Sequence, residues 1–378
     1  MSGLEEGHVP GPDEARGEER ERIIVAMSGG VDSSLVAALL VEQNREVVGV
    51  TMHLAGDSSR CCSLEDADDA RRVAEGLGIR FYVANYTETF KREVIEVFAD
   101  EYLAGRTPIP CVACNKRFKF DYLMERATIF GGKGVATGHY ARVAQNSESG
   151  LFELRRPRDL LKDQTYFLFQ LDQAQLAKTF FPLGELTKEQ VRQRARALGL
   201  KTADKPESQE ICFVPGGDYA EVVESIRPEA SERGGAIVDA SGAVLGQHRG
   251  IHRFTVGQRH GLGISSDRRL YVTRIDAEAR QVVVGPASDL GSDGAEISEV
   301  NWIAGAPPPR PVRARVQIRH RHPGAEATLY PLPGQTVRVE FDEPVDAVSP
   351  GQAAVFYDLA SRGDERGEIV LGGGWIQG

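Results

Sequence analysis

The sequence predicts an α/β fold: an N-terminal doubly wound parallel sheet followed by two small, mainly β, barrel-like domains. Three observations carry this expectation. Up to about Gly216, short apolar runs alternate with helical periodicities, the pattern of βαβ units around a buried parallel sheet. Beyond it the helical periodicity fades, and short alternating strands separated by Gly, Pro and Asp take over. The length, 378 residues, exceeds what one core usually holds, so two or three domains are expected.

Ile23-Ile24-Val25-Ala26 reads as a short buried strand, and Leu35 to Val41 as a helix. Between them lies Ser28-Gly29-Gly30-Val31-Asp32-Ser33-Ser34. A strand, a glycine turn and a helix aim backbone N–H groups at an anion and place it at the positive end of the helix. Gly29 and Gly30 let the backbone approach a phosphate, and Ser28, Ser33 and Ser34 add hydroxyl donors. Asp32 suits either a Mg²⁺ ligand or a cap on the helix. No Lys follows the last Gly and no third Gly stands at dinucleotide-fold spacing, so neither common glycine motif is present.

Glu46 to Leu54 is a second strand. Met52 lies at its carboxyl end, where ligands of doubly wound sheets sit, and reads either as an adenine contact or as core. Cys61 and Cys62 follow in a polar loop with nothing nearby to complete a metal set. Leu64, Ala67, Ala70, Val73, Ala74 and Leu77 mark a helix closed by Gly78. Ile79 to Val83 is a third strand, and Phe90, Val94, Val97, Phe98 and Leu103 mark another helix. The prolines of Gly105-Arg106-Thr107-Pro108-Ile109-Pro110 forbid regular structure up to Cys111, and the basic residues after Cys114 begin a helix. A Cys-x-x-Cys beside a cationic helix start favours low-pKa thiolates; half of a zinc site is the alternative.

Val135 to Tyr140 reads as a fourth strand ending in a glycine turn, with Gly138 and His139 at the ligand edge. His139 alternatively is a satisfied strand-end histidine. Leu160 to Leu168 follows a basic patch of Arg155, Arg156 and Arg158. Thr187-Lys188-Glu189-Gln190 has the form of a capping box. Cys212 is the last cysteine. The β-rich part holds expected strands at 236–238, 271–275, 281–284, 312–318, 336–341 and 353–357. A boundary near Asp218 and another in the Pro/Gly-rich stretch 286–309 give an acidic tail (1–21), an α/β domain (22–217), a central β domain (218–292) and a C-terminal β-barrel (293–378).

The composition is that of a globular protein, 41% hydrophobic and 26% charged, and no apolar run approaches the roughly 20 residues of a membrane span. Residues 1–21 read as a disordered acidic tail and not as a signal peptide, so a cytoplasmic location and no membrane partner are expected. Five cysteines in such a chain point to metal binding or catalysis before a disulfide framework. The net charge of −10 argues against nucleic acid, but many of the acids lie in the tail. Elsewhere Arg310, Arg313, Arg315, Arg319 and Arg321 form an acid-free run whose alternate spacing puts several on one strand face. It is expected to track phosphates, with a solvated face as the alternative.

The serine–glycine turn resembles the PP-loop of the ATP pyrophosphatase superfamily. Further blocks resemble one family within it, the tRNA-specific 2-thiouridylases. They are Met27–Ser34, Gly105–Pro108, Cys114-Asn115-Lys116, Ala136–Tyr140, Lys162-Asp163-Gln164, Gly257-Gln258-Arg259, Pro350-Gly351-Gln352 and Leu371–Gly374. Together they run from about residue 22 to the end. The resemblance implies ATP-dependent replacement of the 2-oxygen of a wobble uridine by sulfur. It implies that Ala26, Met27, Ser28, Gly29, Gly30, Val31, Asp32 and Ser33, with Met52 and Gly138, bind ATP with Mg²⁺. Cys114 matches the nucleophile and Cys212 the persulfide carrier. Ile109, Pro110, Cys111, His139, Lys162, Asp163, Gln164, Arg319, His320 and Gln352 match positions that touch tRNA.

One departure stands out. Cys111 occupies a position where the better-known members carry Asp. Cys111, Cys114 and Cys212 are therefore expected to act together, by preference as three ligands of a [4Fe-4S] iron–sulfur cluster. A redox pair of Cys114 and Cys212 is the other reading. The expected partners are tRNA and a sulfur donor, whether a cysteine desulfurase, a relay protein or inorganic sulfide. Two rival classes are a PP-loop ligase or amidotransferase acting on a small molecule, and an RNA-binding module with a degenerate ATP site.

Overall fold

The structure, a computed structural model, describes residues 20–54, 64–207, 211–359 and 369–378. The expected acidic tail, except for its last two residues, and the pair Cys61 and Cys62 lie outside the described residues.

The chain opens with β1 (Arg22–Ala26), α1 (Val31–Glu42), β2 (Glu46–His53), α2 (Leu64–Leu77) and β3 (Arg80–Asn85). The helical segments from Thr87 to Leu103 and from Pro110 to Ile129 follow, then β4 (Gly134–Ala136). A hairpin of β5 (Arg142–Gln145) and β6 (Phe152–Arg155) precedes the short β7 (Thr179–Phe180). The sheet order is β3-β2-β1-β4-β7, with all pairs parallel. The chain winds outward on one side of β1 and then returns to its other side. The crevice at the carboxyl ends of β1 and β4 is thus the switch point where doubly wound sheets take ligands.

Alternation along β1 builds two core layers. Ile23 and Val25 pack with Leu35, Val36 and Val73 beneath α1 and α2. Ile24 packs on the opposite face with Phe90, Phe98 and Phe118.

The central part is a four-stranded sheet in the order β10-β11-β8-β9. Its strands are β8 (Gly235–Val238), β9 (Val244–His248), β10 (Tyr271–Asp276) and β11 (Gln281–Gly285). The last part is a closed barrel in the order β12-β15-β14-β13-β16-β17. It consists of β12 (Gly291–Trp302), β13 (Val312–Gln317), β14 (Ala325–Leu332), β15 (Thr336–Asp346), β16 (Ala353–Asp358) and β17 (Val370–Ile376).

The barrel and the parallel-sheet domain share one core. Tyr166, Phe169 and Leu171 pack with Ile303, Ala353, Val355, Tyr357 and Val370. The Tyr166 hydroxyl donates to the Ala353 carbonyl at 3.0 Å, and the Asn301 amide donates to the carbonyls of Phe169 and Leu171 at 2.7 and 3.0 Å.

Two local expectations need correction. The helix at Cys111 starts at Pro110, not after Cys114, because proline fits the first helical position, where its missing N–H has no partner to lose. In the stretch 286–309, where a boundary but no strand is expected, lies the twelve-residue β12. Its Gly, Ser, Asp and Glu content hides a strand whose pairing with β15 and β17 is specified from far along the chain.

Candidate active site

The turn after β1 is held open by its own short side chains. The Ser28 N–H donates to Ser33 Oγ at 3.1 Å. The hydroxyls of Ser33 and Ser34 donate to the Gly30 carbonyl at 3.2 and 2.9 Å. Thr51 Oγ1 donates to the Met27 carbonyl at 2.6 Å and so ties the turn to β2. Ser33 and Ser34 are buried, so their hydroxyls shape the loop and do not face a ligand as the sequence suggested; Ser28 is the exposed serine.

Gly30 is the N-cap of α1 and supplies no side-chain cap, and Asp32 does not cap the helix either. The first-turn N–H groups therefore point outward without a side-chain acceptor, the geometry that receives an anion. Gly138, after β4, lies directly against this turn: a Cβ there would come within 2.9 Å of Asp32 Cβ and 3.0 Å of the Ser33 nitrogen. Met52 is 5% exposed and packs in the second core layer, so its side chain is core.

Asp32 instead enters an ion-pair network. Lys188 Nζ lies 2.8 Å from each Asp32 carboxylate oxygen, and the Tyr140 hydroxyl donates to Asp32 Oδ1 at 2.9 Å. Lys188 also meets Glu207 at 2.8 Å, and Lys162 meets the other Glu207 oxygen at 2.7 Å. Burial opposes the charge on Glu207. Hydrogen bonds from Lys162 and Lys188 outweigh it and hold the carboxyl at about 2. Burial, and then the charge and hydrogen bond of Asp32, push the Tyr140 phenol far up, so it stays a donor.

The residues expected to meet tRNA fall into distinct groups. His139 is buried, with Nδ1 2.7 Å from Thr137 Oγ1 and Nε2 3.4 Å from Lys119 Nζ. Burial, then the Lys119 charge, hold its imidazole well below the usual range, so it is a neutral strand-end histidine. Gln164 stitches its amide oxygen to the Tyr140 N–H at 2.8 Å. Asp163 pairs with Arg156 at 3.0 Å and accepts from Thr165. Arg156 reaches on to Gln317 of β13 at 3.0 Å and lies over the Tyr357 ring. The His320 ring lies tilted at 41° against Phe167 with centroids 4.5 Å apart, and Asp163 acts on its imidazole through a hydrogen bond and its charge, so the structure brings Asp163 next to His320. Of the arginine run, Arg313 is neutralised by Asp342 at 2.5 Å and faces Glu326. Arg319 is exposed and donates to the Asp346 carbonyl at 3.2 Å.

The cysteine helix is placed from several sides. The Thr107 N–H donates to the Pro350 carbonyl at 2.8 Å, and the Gln352 amide donates to the Thr107 carbonyl at 2.9 Å. Gly351 has its φ at +85°, and a Cβ there would come within 2.9 Å of the Thr107 nitrogen. On its other flank Gly105 abuts Ile275 of β10. Ile109 and buried Pro110 then lead into the helix Pro110–Cys114. Val112 is fully buried in the core shared with the barrel. Cys114 and Cys212 both pack against the second core layer, next to Ala113, Ile211 and Phe213, whereas Cys111 is exposed.

This corrects the preferred cluster reading. Among the described residues, which include Cys111, Cys114 and Cys212, no three His, Cys, Asp or Glu side chains converge to hold a metal. Cys111 and Cys114 lie three residues apart on one helix, Cys111 exposed and Cys114 partly buried against the second core layer. The residues present do not fit a [4Fe-4S] cluster.

Sequence reading missed Lys188, Glu207, Tyr140 and Arg156 as site components. The signal for Lys188 was present: a lysine at the first position of a capping-box helix, where the helix dipole disfavours a cation.

A nucleotide-type turn at the switch point of a parallel sheet, joined to a β-sheet domain and a closed barrel, defines a HUP-domain protein with two β modules. The profile described as "tRNA methyl transferase HUP domain" matches residues 21–216. Those described as "tRNA methyl transferase PRC-barrel domain" and "Aminomethyltransferase beta-barrel domain" match 223–286 and 292–376. A protein of Solibacter usitatus named tRNA-specific 2-thiouridylase MnmA is 51% identical over 94% of this chain and 99% of its own length. Proteins of the same name from Geobacter metallireducens and Koribacter versatilis are 50% and 47% identical, each over 94% of this chain and 97% and 99% of their own lengths. The chain belongs to the tRNA-specific 2-thiouridylase family.

Proposed function

We propose that this chain catalyses the ATP-dependent 2-thiolation of the wobble uridine of tRNA. The observation that carries the reading is a pairing within one family member. An uncapped helix turn faces the switch-point crevice, and two cysteines far apart in sequence border one core of the same domain. The crevice turn receives the phosphates of ATP through Gly29, Gly30 and the first-turn N–H groups of α1. Mg²⁺ is commonly held by one or two carboxylates plus substrate phosphates, and Asp32 is the carboxylate at this mouth. Bound there, the ion offsets charge on the phosphates.

The uridine C2 oxygen is a poor leaving group until adenylated. In the reading favoured here, Cys212 carries a terminal persulfide sulfur, passed to its thiolate as sulfane sulfur from the persulfide of a cysteine desulfurase or of a relay protein, whose own thiolate is released. That sulfur attacks C2, and AMP leaves with the oxygen. The Cys114 thiolate then attacks the Cys212 sulfur, the S–S electron pair passes to the new thiocarbonyl, and a Cys114–Cys212 disulfide remains to be reduced. Exposed Cys111 is not required. Methyl transfer, named in two of the domain descriptions, calls for neither the turn nor the cysteines.

Arg319 and His320 present the barrel's contribution to RNA, while Asp163, Gln164 and His139 position neighbours from inside. Among the described residues no helix is long and apolar enough to cross a membrane, and we place the reaction in the cytoplasm. The test is pyrophosphate release with and without unmodified tRNA, followed by mass spectrometry of the tRNA nucleosides. The reading expects tRNA-dependent pyrophosphate and 2-thiouridine. Pyrophosphate release that ignores tRNA would favour the small-molecule ligase class.

A further inference from the structure

Lys188 breaks a local rule. It is the first residue of the helix Lys188–Ala197, where the dipole disfavours a cation, and Thr187 and Gln190 already complete the capping box. A surface lysine there would point to water. This side chain is only 12% exposed, and its ammonium is drawn onto Asp32, in the first turn of α1, and onto Glu207. Its backbone N–H is fixed by Asp159 at 2.9 Å. Lys162 and Arg192 also meet Glu207, so Asp32 and Glu207 sit in one network with three cationic side chains. The network ends at the turn that Gly138 packs against. The ammonium thus stands at the mouth of an anion-directed turn, held by a carboxylate in a place where a phosphate oxygen would make the same contact.

We infer that Lys188 is a catalytic residue: its ammonium leaves the Asp32 carboxylate for the β- and γ-phosphates of ATP and meets the departing pyrophosphate. This rests on the reading of the turn as an ATP site. Exchange of one anion for another keeps the ammonium paired, and Glu207 and Asp159 keep the lysine aimed while Tyr140 retains Asp32. In the step served, the uridine C2 oxygen forms a bond to the α-phosphorus. The bond from that phosphorus to the bridging oxygen breaks, and its electron pair stays on the pyrophosphate. The N3 proton of the uridine goes to solvent, and Lys188 keeps its protons. Charge grows where the ammonium sits, so the interaction is stronger in the transition state than before it.

The experiment uses the full-length protein with Lys188→Met, Lys188→Gln and Lys188→Arg. Single-turnover pyrophosphate release with tRNA is followed beside equilibrium titration with inorganic pyrophosphate and with AMP. Pyrophosphate release is expected to fall about 10²–10³-fold in Lys188→Met and Lys188→Gln, with Lys188→Arg recovering part of the loss. Affinity for pyrophosphate should fall at least about tenfold while that for AMP is unchanged, a split that mere pinning of the helix would not produce. Release at the wild-type rate in a folded Lys188→Met or Lys188→Gln protein, or equal loss of AMP and pyrophosphate binding, overturns the inference alone. A wild-type protein that neither binds ATP nor releases pyrophosphate with tRNA overturns the reading of the turn as well.

Discussion

In the turn after β1, the hydrogen bonds that shape the loop run among residues 28–34 or to the adjacent β2. The helix that carries Cys111 and Cys114 is positioned instead by Ile275 of the central sheet, by Pro350 and Gln352 of the barrel, and by the shared core around Val112. The two halves of the proposed chemistry are therefore built at different ranges. The loop of the turn is shaped locally, and its remaining contacts, from Gly138, Tyr140 and Lys188, come from the same domain. The cysteine helix takes its place only when all three parts of the chain are docked. Damage to the barrel should consequently reach sulfur transfer before it reaches nucleotide binding.

The sharpest way to break this comparison is to remove the thiols. Cys114→Ser and Cys212→Ser should each lower 2-thiouridine formation at least about a thousandfold while ATP binding is retained, because a hydroxyl can neither carry nor accept the transferred sulfur. Cys111→Ala should stay within about threefold of wild type by the same nucleoside assay, since an exposed side chain off the core adds no step. Loss of activity in Cys111→Ala together with bound iron would restore the cluster reading.

The range difference also explains what could be read from the sequence. Strand, turn and helix at Ile23–Val41 are contiguous, so apolar runs and glycines report them directly, and the parallel sheet followed from repeats of that pattern. The textural change near Gly216 announced the β part. β12 was missed because its pairing partners, β15 and β17, are distant, and its own residues have weak strand preference. Cys114 and Cys212 were legible by resemblance, but which cysteines face one another is a matter of packing. Composition could not say that Cys111 turns to solvent. The basic run misled in part for the same reason: Asp342, which neutralises Arg313, comes from β15.

A local perturbation of the turn is the next largest effect expected. Gly138→Ala would press a methyl onto Asp32 and the Ser33 nitrogen. Overpacking of that kind costs about 1–3 kcal/mol, so ATP affinity should fall about tenfold to a hundredfold, with tRNA affinity unchanged in a filter-binding assay.

Gln352→Ala sharpens the other side. It removes the amide that holds the Thr107 carbonyl, a tie of about 1 kcal/mol. Thiolation should drop about threefold to tenfold while ATP affinity holds, a change that stopped-flow nucleotide binding and nucleoside analysis would separate.

The smallest effect contrasts two arginines of the barrel. Arg319→Ala should reduce the log–log salt slope of tRNA binding by about one, because its guanidinium faces solvent. Arg313→Ala should leave the slope unchanged, because Asp342 already occupies it. Equal slopes for both variants would show that the barrel face does not follow phosphates.

The central claim is that one chain activates the uridine at a local turn and delivers sulfur from a cysteine pair assembled at long range. The most direct measurement is a single reaction of Cys114→Ser with ATP and unmodified tRNA, in which pyrophosphate and nucleosides are quantified together. The account predicts a tRNA-dependent release of pyrophosphate without 2-thiouridine. Formation of 2-thiouridine by this variant, or a failure to release pyrophosphate while ATP and tRNA both bind, would contradict it.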